Sequence, residues 1–370
     1  MTSSKQIKSK ISKEGLLTIS IEEVDIPQPN AGEVLIKVQA TPINPSDLGL
    51  LVGPADVSSL EIVEEGSKIQ MKVPESLIRS VSARFDQNLP VGNEGAGIVE
   101  AAGEGAEHLI GKVVGVAGGA MYSQYRCLPA SSCLEMNEGT SAKEAASCFV
   151  NPLTALGMVE TMRMEGHTGL VHTAAASNLG QMLIKICNDE DIPLVNVVRK
   201  EEHVQLLNEL GAEYVCNSTE DNFMDDLVQA LVKTGATLGF DATGGGKLAS
   251  QILTAMEISA NKTATEYSRY GSDQFKQVYI YGGLDRSPTT LTRSFGFSWG
   301  LGGWLLTPFI GKIGHERFAE LRKKVADEID TTFSSKYTKT ISLEETLHEE
   351  NVFSYTKQAT GEKFLIEPNN

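Results

Sequence analysis

Cysteine is scarce in this sequence and never closely paired. The five cysteines among 370 residues (Cys127, Cys133, Cys148, Cys187, Cys216) form no C-x-x-C pair and are odd in number. That argues against a disulfide framework and against a ribbon-type zinc site. Basic charge is short as well: 32 Lys and Arg against 48 Asp and Glu leave a net charge of −16, with a pI near 4.9. Such a surface repels phosphate backbones and argues against nucleic acid as a partner. The start, MTSSKQIKSKISKEG, has positive charge without an apolar stretch behind it. It predicts no secretory leader and a reducing, cytoplasmic setting. Long hydrophobic runs are missing too. The one membrane-like stretch, FGFSWGLGGWLLTPFIG at 295–311, is too short and glycine-rich for a span of about 20 residues. It reads as buried core or as the wall of a cofactor pocket, and no membrane partner is expected.

What is present is ordinary globular composition, 41% apolar with 35 glycines, at a length suited to two domains. The first 150 residues read as short strands and turns. GEVLIKVQATPINPSD alternates like a half-buried strand closed by prolines. VGNEGAGIVEAAGEG and GKVVGVAGGAMYSQYRCLP carry glycines where strands bend or approach one another. A small, irregular β-barrel is the expectation. Ser141 and Glu144 then have capping-box spacing, and helices begin. After Gly169, GLVHTA, NLGQMLIKICND, PLVNVVR, KEEHVQLLNELG, AEYVCN, MDDLVQALVKTG, TLGFDAT, KLASQILTAM and KQVYIYGG alternate strand with helix. That pattern predicts an α/β fold on a parallel sheet. ERFAELRKKVADEID adds a helix, and GEKFLIEP a last strand returning to the first domain. Within 54–90, PESLIRSVSARF spaces Leu77, Ile78, Val81 and Phe85 as one helix face. It reads as an amphipathic cover over the barrel, or as a lid whose Arg79 and Arg84 favour anionic substrates.

A turn that holds a dinucleotide uses G-x-G-x-x-G for tightness and close backbone approach. VHTAAASNLGQML (171–183) keeps only the last glycine, giving Ala175-x-Ser177-x-x-Gly180. Alanine and serine are the smallest substitutes, and the Ser177 hydroxyl can donate to a phosphate oxygen. The helix start adds the amides of Asn178 and Leu179 and a positive dipole end. Alone, the turn reads equally as a plain strand-to-helix connection. The next strand ends in VNVVRKEEH, placing Arg199 and then Lys200 where NAD enzymes usually carry an acid. A guanidinium there suits a 2′-phosphate and points to NADPH; a solvated surface arginine is the alternative. FDATGGG (240–246) and YIYGGL (279–284) follow apolar runs. Asp241, Thr243, Gly244, Tyr281, Gly282 and Gly283 in these loops are expected near a ribose or nicotinamide, with Trp304 as pocket wall.

These strings, together with NPLTAL and the order of elements, resemble the medium-chain dehydrogenase/reductase superfamily. Within it the chain is similar to the zinc-independent branch of quinone oxidoreductases and mitochondrial-type 2-enoyl thioester reductases. The resemblance implies a GroES-like irregular β-barrel catalytic domain from 1–150 and 313–370, and a Rossmann doubly wound domain over 151–312. It also implies a cleft at their junction and a homodimer that pairs an edge strand. Zinc-dependent relatives place a cysteine near Asn44, a His-Glu pair at Asn93-Glu94, and a cysteine or acid near Asn151. Neutral amides replace thiolate and imidazole poorly, and His108, His167 and His172 have no ligand spacing, so no metal is expected. His172, inside a strand, reads as a hydrogen-bonded core residue. The implied chemistry is hydride delivery from NADPH to a quinone or activated alkene as the small-molecule substrate. Asn44 and Thr154 become the candidate catalytic residues, with Asn151 and Thr154 beside the cofactor. Asn44-Pro45 and Asn151-Pro152 also read as turn and helix-start pairs. A 2-enoyl thioester substrate is the alternative, although LGLLVGPADVSS lacks the proton-donating tyrosine of that branch. Tyr122 and Tyr125 replace it only if the fold brings one to the cleft. A third reading is a nucleotide-binding protein with a structural or sensing role and no turnover.

Overall fold

The computed structural model describes residues 3–370. It divides into two units: residues up to Val150 together with Arg322–Asn370, and Asn151–Leu321. In the first unit, alternation decides which faces are buried. Ser3–Ile11 pairs antiparallel with Leu16–Asp25, and Ile7, Ile11, Leu17 and Ile19 share a buried face, as a period of two requires. Lys68–Lys72 joins the other side of Leu16–Asp25, setting Met71 opposite Leu17 and Ile69 opposite Ile19. A second sheet centres on Glu33–Pro42, whose Val34, Ile36 and Val38 pack with Val99, Val114, Val116 and Leu128. That strand pairs with Glu94–Ala102, with Tyr125–Pro129 and with Phe364–Ile366. The last strand therefore returns to the first unit. Pro42 ends the central strand, and Pro45 opens the helix Pro45–Leu51, where a missing N–H has no helical acceptor to lose.

Within 54–90, the PESLIRSVSARF stretch is not one continuous amphipathic helix. Asp56–Glu64 and Lys68–Lys72 form a hairpin that extends the first sheet. A one-turn helix, Glu75–Ile78, then tightens into a 3-10 stretch, Arg79–Arg84. Ile78, Val81 and Phe85 pack on the core as a cover should. Arg84 turns inward: its guanidinium donates to Ser9 Oγ at 3.0 Å and to the Leu50 carbonyl at 3.0 Å. It clamps the barrel and is unavailable to an anionic substrate.

The second unit is a six-stranded parallel sheet in the order Tyr214–Asn217, Leu194–Val198, Leu170–Thr173, Leu238–Asp241, Lys276–Ile280, Trp299–Gly303. The inner strands LVHT, LVNVV and LGFD are buried throughout, as a sheet covered on both faces demands. Helix Asn178–Asp189 turns Leu179, Met182, Leu183 and Ile186 inward, an i, i+3, i+4, i+7 face. Strand order reverses beside Leu170–Thr173, and doubly wound sheets bind ligands outside the carboxyl ends at that switch point. Residues 295–311 are split between core and surface. Phe295 is buried edge-on against Trp299, at 4.7 Å between centroids, and Phe309 is buried, but Phe297 is 84% exposed. Among the described residues no helix is long and apolar enough to cross a membrane.

Arg84→Ala removes the inward clamp and leaves its acceptors without that donor. Chemical denaturation should show a loss of about 1–3 kcal/mol, and an unchanged midpoint would contradict the clamp.

Candidate functional site

The turn after Leu170–Thr173 is built from small residues under tight constraint. Ala174 takes a left-handed φ of 51°, a conformation that costs an L-residue about 1–2 kcal/mol. The Ala175 amide donates to the Val197 carbonyl at 3.2 Å, pinning the turn to the neighbouring strand. Ser177 caps the helix, its Oγ accepting from the Gly180 amide at 3.2 Å. The serine hydroxyl hydrogen remains able to donate. A Cβ on Gly180 would overlap the carbonyl of Ala175, so this glycine is required by packing. The first turn of a helix offers amides without an acceptor inside the helix, at the positive end of the dipole.

Arg199 stands exposed just beyond the carboxyl end of Leu194–Val198. Among the described residues its guanidinium has no hydrogen-bond or ion-pair partner. Lys200 is engaged: its ammonium lies 2.9 Å from Glu202. The Ser287 amide, the Ser287 hydroxyl and, more weakly, the Arg199 charge hold Asp285 below the usual carboxylate range.

Asp241, expected beside a ligand, is bonded to the loops around it. It has no exposed surface. One carboxylate oxygen accepts from Thr173 Oγ1 at 2.8 Å and the Thr243 amide at 2.9 Å, the other from the Gly244 amide at 3.1 Å. Asp241 builds the loop that a ligand would touch. The glycines of the two loops likewise serve each other. A Cβ on Gly244 would come within 2.7 Å of the Gly282 carbonyl, and one on Gly282 within 2.6 Å of the Ala242 carbonyl. Gly244–Gly246 and Asp285–Thr289 pair as a small parallel ladder. Of the expected glycine contacts, Gly283 has open space around it.

Tyr281, Gly282 and Trp304 come together in a cavity of about 360 Å³ with Thr161, Tyr279 and Phe309. Trp304 Nε1 donates to Thr161 Oγ1 at 3.0 Å. Tyr281 Oη lies 2.7 Å from His172 Nε2, and the rings stack. Burial pushes His172 down to about 3, so it is neutral in the folded state. Asn151 is half-buried and Thr154 buried on helix Val150–Met164. Gly157 of that helix faces the Trp304 ring.

Asn44 belongs to the first unit and lies inside it, 1% exposed. Its amide nitrogen donates to Glu94 Oε1 at 2.7 Å, and its backbone N–H to Asp47 Oδ2 at 2.8 Å. Asp47 Oδ1 accepts from the Asn93 amide at 2.7 Å, and Glu94 Oε2 from the Phe149 and Val150 amides at 2.8 and 2.9 Å. Burial raises Asp47 to about 7 and also raises Glu94. Asn93 Nδ2 donates to Ser46 Oγ. Both amide nitrogens are thus engaged as donors to protein oxygens. Tyr122 is core, its hydroxyl 3.1 Å from the Pro42 carbonyl. The Asp47–Glu94 pair, with the buried Lys363, was not among the expected site residues; the one local signal is the acid three residues after Asn44 in NPSD.

Residues 30–164 match the alcohol dehydrogenase GroES-like domain. That match is similar to the first domain of the medium-chain dehydrogenase/reductase superfamily. It is 27% identical over 290 residues to the mitochondrial enoyl-(acyl-carrier-protein) reductase of Xenopus tropicalis, covering 75% of this chain and 69% of that protein. To the Caenorhabditis elegans protein of the same name it is 24% identical, covering 65% of this chain and 64% of the relative. A solved structure described as an NADPH:quinone reductase of Mesorhizobium loti superposes with a TM-score of 0.74. The two are 23% identical, and the superposition covers 100% of this chain and 99% of the other, a likeness of fold. These superfamily relatives are oxidoreductases.

His172 gives this fold a measurable pH dependence. Unfolded, it binds a proton near pH 6.5; folded, only near 3. Between those values the unfolded chain holds the extra proton, so stability falls as pH falls. Asp47, raised from 3.8 to about 7, acts in the opposite direction, and comparison with His172→Gln isolates the histidine. From pH 7 to pH 5 the natural chain should lose about 2 kcal/mol more than the variant in urea unfolding. Equal losses would contradict a neutral, buried imidazole.

Proposed function

We propose that the chain is an NADPH-dependent, zinc-free reductase acting on a quinone or an activated alkene. The observation that carries this reading is the pairing, at one sheet edge, of the narrow helix start at Ser177–Gly180 with the unengaged guanidinium of Arg199. A helix start suits a pyrophosphate, and a planar guanidinium suits a 2′-phosphate. When bound, the reduced nicotinamide supplies the hydride. The chain binds and orients it. Ser177 Oγ–H and the first-turn amides of Asn178 and Leu179 hold phosphate oxygens. Arg199 holds the 2′-phosphate, with Lys200 as a weaker contributor because Glu202 engages it. Thr243, Gly283 and the Tyr281–Gly282–Trp304 wall line the rest, with Asn151 and Thr154 contributed by their helix. A second copy of the chain pairs along the outer edge of Trp299–Gly303, whose inner edge is taken by Lys276–Ile280.

A 2-enoyl thioester is the second reading for the substrate, favoured by the enoyl reductases among the sequence relatives. Tyr122 does not supply the missing acid, since its hydroxyl is buried against Pro42.

Titration with NADPH and NADH, followed by thermal shift, tests the cofactor. NADPH should bind more tightly, and Arg199→Ala should weaken it by about tenfold, or ~1.4 kcal/mol, leaving NADH nearly unchanged. Equal weakening of both removes the role of Arg199, and failure of both cofactors removes the reductase. With NADPH bound, oxidation by quinones, enones or enoyl thioesters decides the substrate class.

A further inference from the structure

Two polar side chains sit in the most apolar part of the second unit. His172 lies in Leu170–Thr173 and Asn196 in Leu194–Val198, strands whose residues are all buried. The two strands are parallel neighbours, and His172 stands opposite Asn196 in their register. Register partners project from the same face of a sheet. His172 is 0% exposed and Asn196 1%. Each ends in a buried polar atom without a hydrogen-bond partner among the described residues: His172 Nδ1 and Asn196 Oδ1.

The other polar atoms of both groups are engaged, which fixes how the groups lie. The Asn196 amide nitrogen donates to the Tyr214 carbonyl at 3.3 Å and to the Leu194 carbonyl at 3.5 Å. Turning the amide over would set its oxygen against two carbonyls, so Oδ1 is the free end and an acceptor. His172 Nε2 lies 2.7 Å from Tyr281 Oη. Tyr281 does not come from a neighbouring strand. It follows Lys276–Ile280, and Leu238–Asp241 lies between that strand and Leu170–Thr173. Its side chain therefore crosses the intervening strand to reach the histidine. The two rings stack with centroids 5.8 Å apart, and Phe240 meets Tyr281 edge-on at 6.5 Å. An apolar sheet does not carry two unpaired polar atoms without cost. A ring nitrogen able to carry a proton, beside an unfilled acceptor, is satisfied by one water.

We propose that one internal water links His172 Nδ1 to Asn196 Oδ1, and that His172 and Asn196 are positioning residues for Tyr281. Nδ1–H donates to the water, and the water donates to Oδ1. Nε2 is then a bare acceptor, and the Tyr281 hydroxyl donates to it. The Asn196 amide, pinned by two carbonyls, thus sets the direction of every hydrogen bond in the network. Burial keeps His172 neutral, with one ring proton to place. Tyr281 lines the cavity of about 360 Å³ with Gly282 and Trp304, so this wall is held from inside the sheet. On the reductase reading, on which this last step rests, the held wall contributes to NADPH binding. The Tyr281 proton is committed to His172 and does not go to the product.

The test combines a water-resolving crystal structure, nitrogen-15 NMR of the histidines, and NADPH titration of the natural chain, Asn196→Leu, Tyr281→Phe and the double variant. A water about 3 Å from both Nδ1 and Oδ1 is expected. The NMR should show His172 protonated at Nδ1 and bare at Nε2, its signals assigned by their loss in His172→Gln. Asn196→Leu should move that proton to Nε2. Each single variant should weaken NADPH about fivefold, and the double variant no more than either, since one network is lost once. No water, or a protonated Nε2 in the natural chain, overturns the network. Additive weakening, or unchanged NADPH affinity in either single variant, overturns the positioning role. If Asn196→Leu does not fold, Tyr281→Phe decides that role alone. A natural chain that binds no NADPH removes the reductase reading, while the water and the ring proton are still judged on the natural chain.

Discussion

The approach of Gly180 to the carbonyl of Ala175 is the constraint on which the second unit turns. No side chain fits there, so the helix Asn178–Asp189 meets its strand at a fixed distance and angle. Ala174 accepts a left-handed backbone to make that meeting possible, and Ser177 closes it by capping the Gly180 amide. Across the switch point, Asp241 does the corresponding work, drawing Thr173, Thr243 and Gly244 onto one carboxylate. The crevice is therefore shaped by two local knots. The number of glycines in the turn matters less than the single position where a Cβ cannot go.

The two units handle charge in opposite ways. The second sets a helix start beside an exposed guanidinium at the tip of the adjoining strand, an arrangement that favours an anion. The first encloses Asp47 and Glu94 and satisfies them chiefly with backbone amides, which is how buried carboxylates are tolerated.

Much of the parallel sheet was legible in the sequence because its strands are apolar runs separated by amphipathic helices of ordinary length, NLGQMLIKICND being the clearest. The cover at 54–90 was legible only in part. The spacing of Ile78, Val81 and Phe85 suits both a helix and a short helix running into a 3-10 turn. The inward course of Arg84 depends on Ser9 and Leu50, acceptors supplied by distant segments. Asp241 misleads for a similar reason. An acid beside glycines at a strand end looks like a ligand contact until Thr173 is seen to face it. The glycines of FDATGGG and YIYGGL looked like room for a cofactor, whereas most of that room is filled by the opposite loop.

The central claim is that the turn at 174–180 holds a dinucleotide although only one glycine of the fingerprint is present. Amide hydrogen exchange with and without NADPH tests it directly. The account predicts new protection confined to the amides of 176–180, 243–244 and 282–283. Unchanged exchange across the turn, with saturating NADPH present, would contradict it.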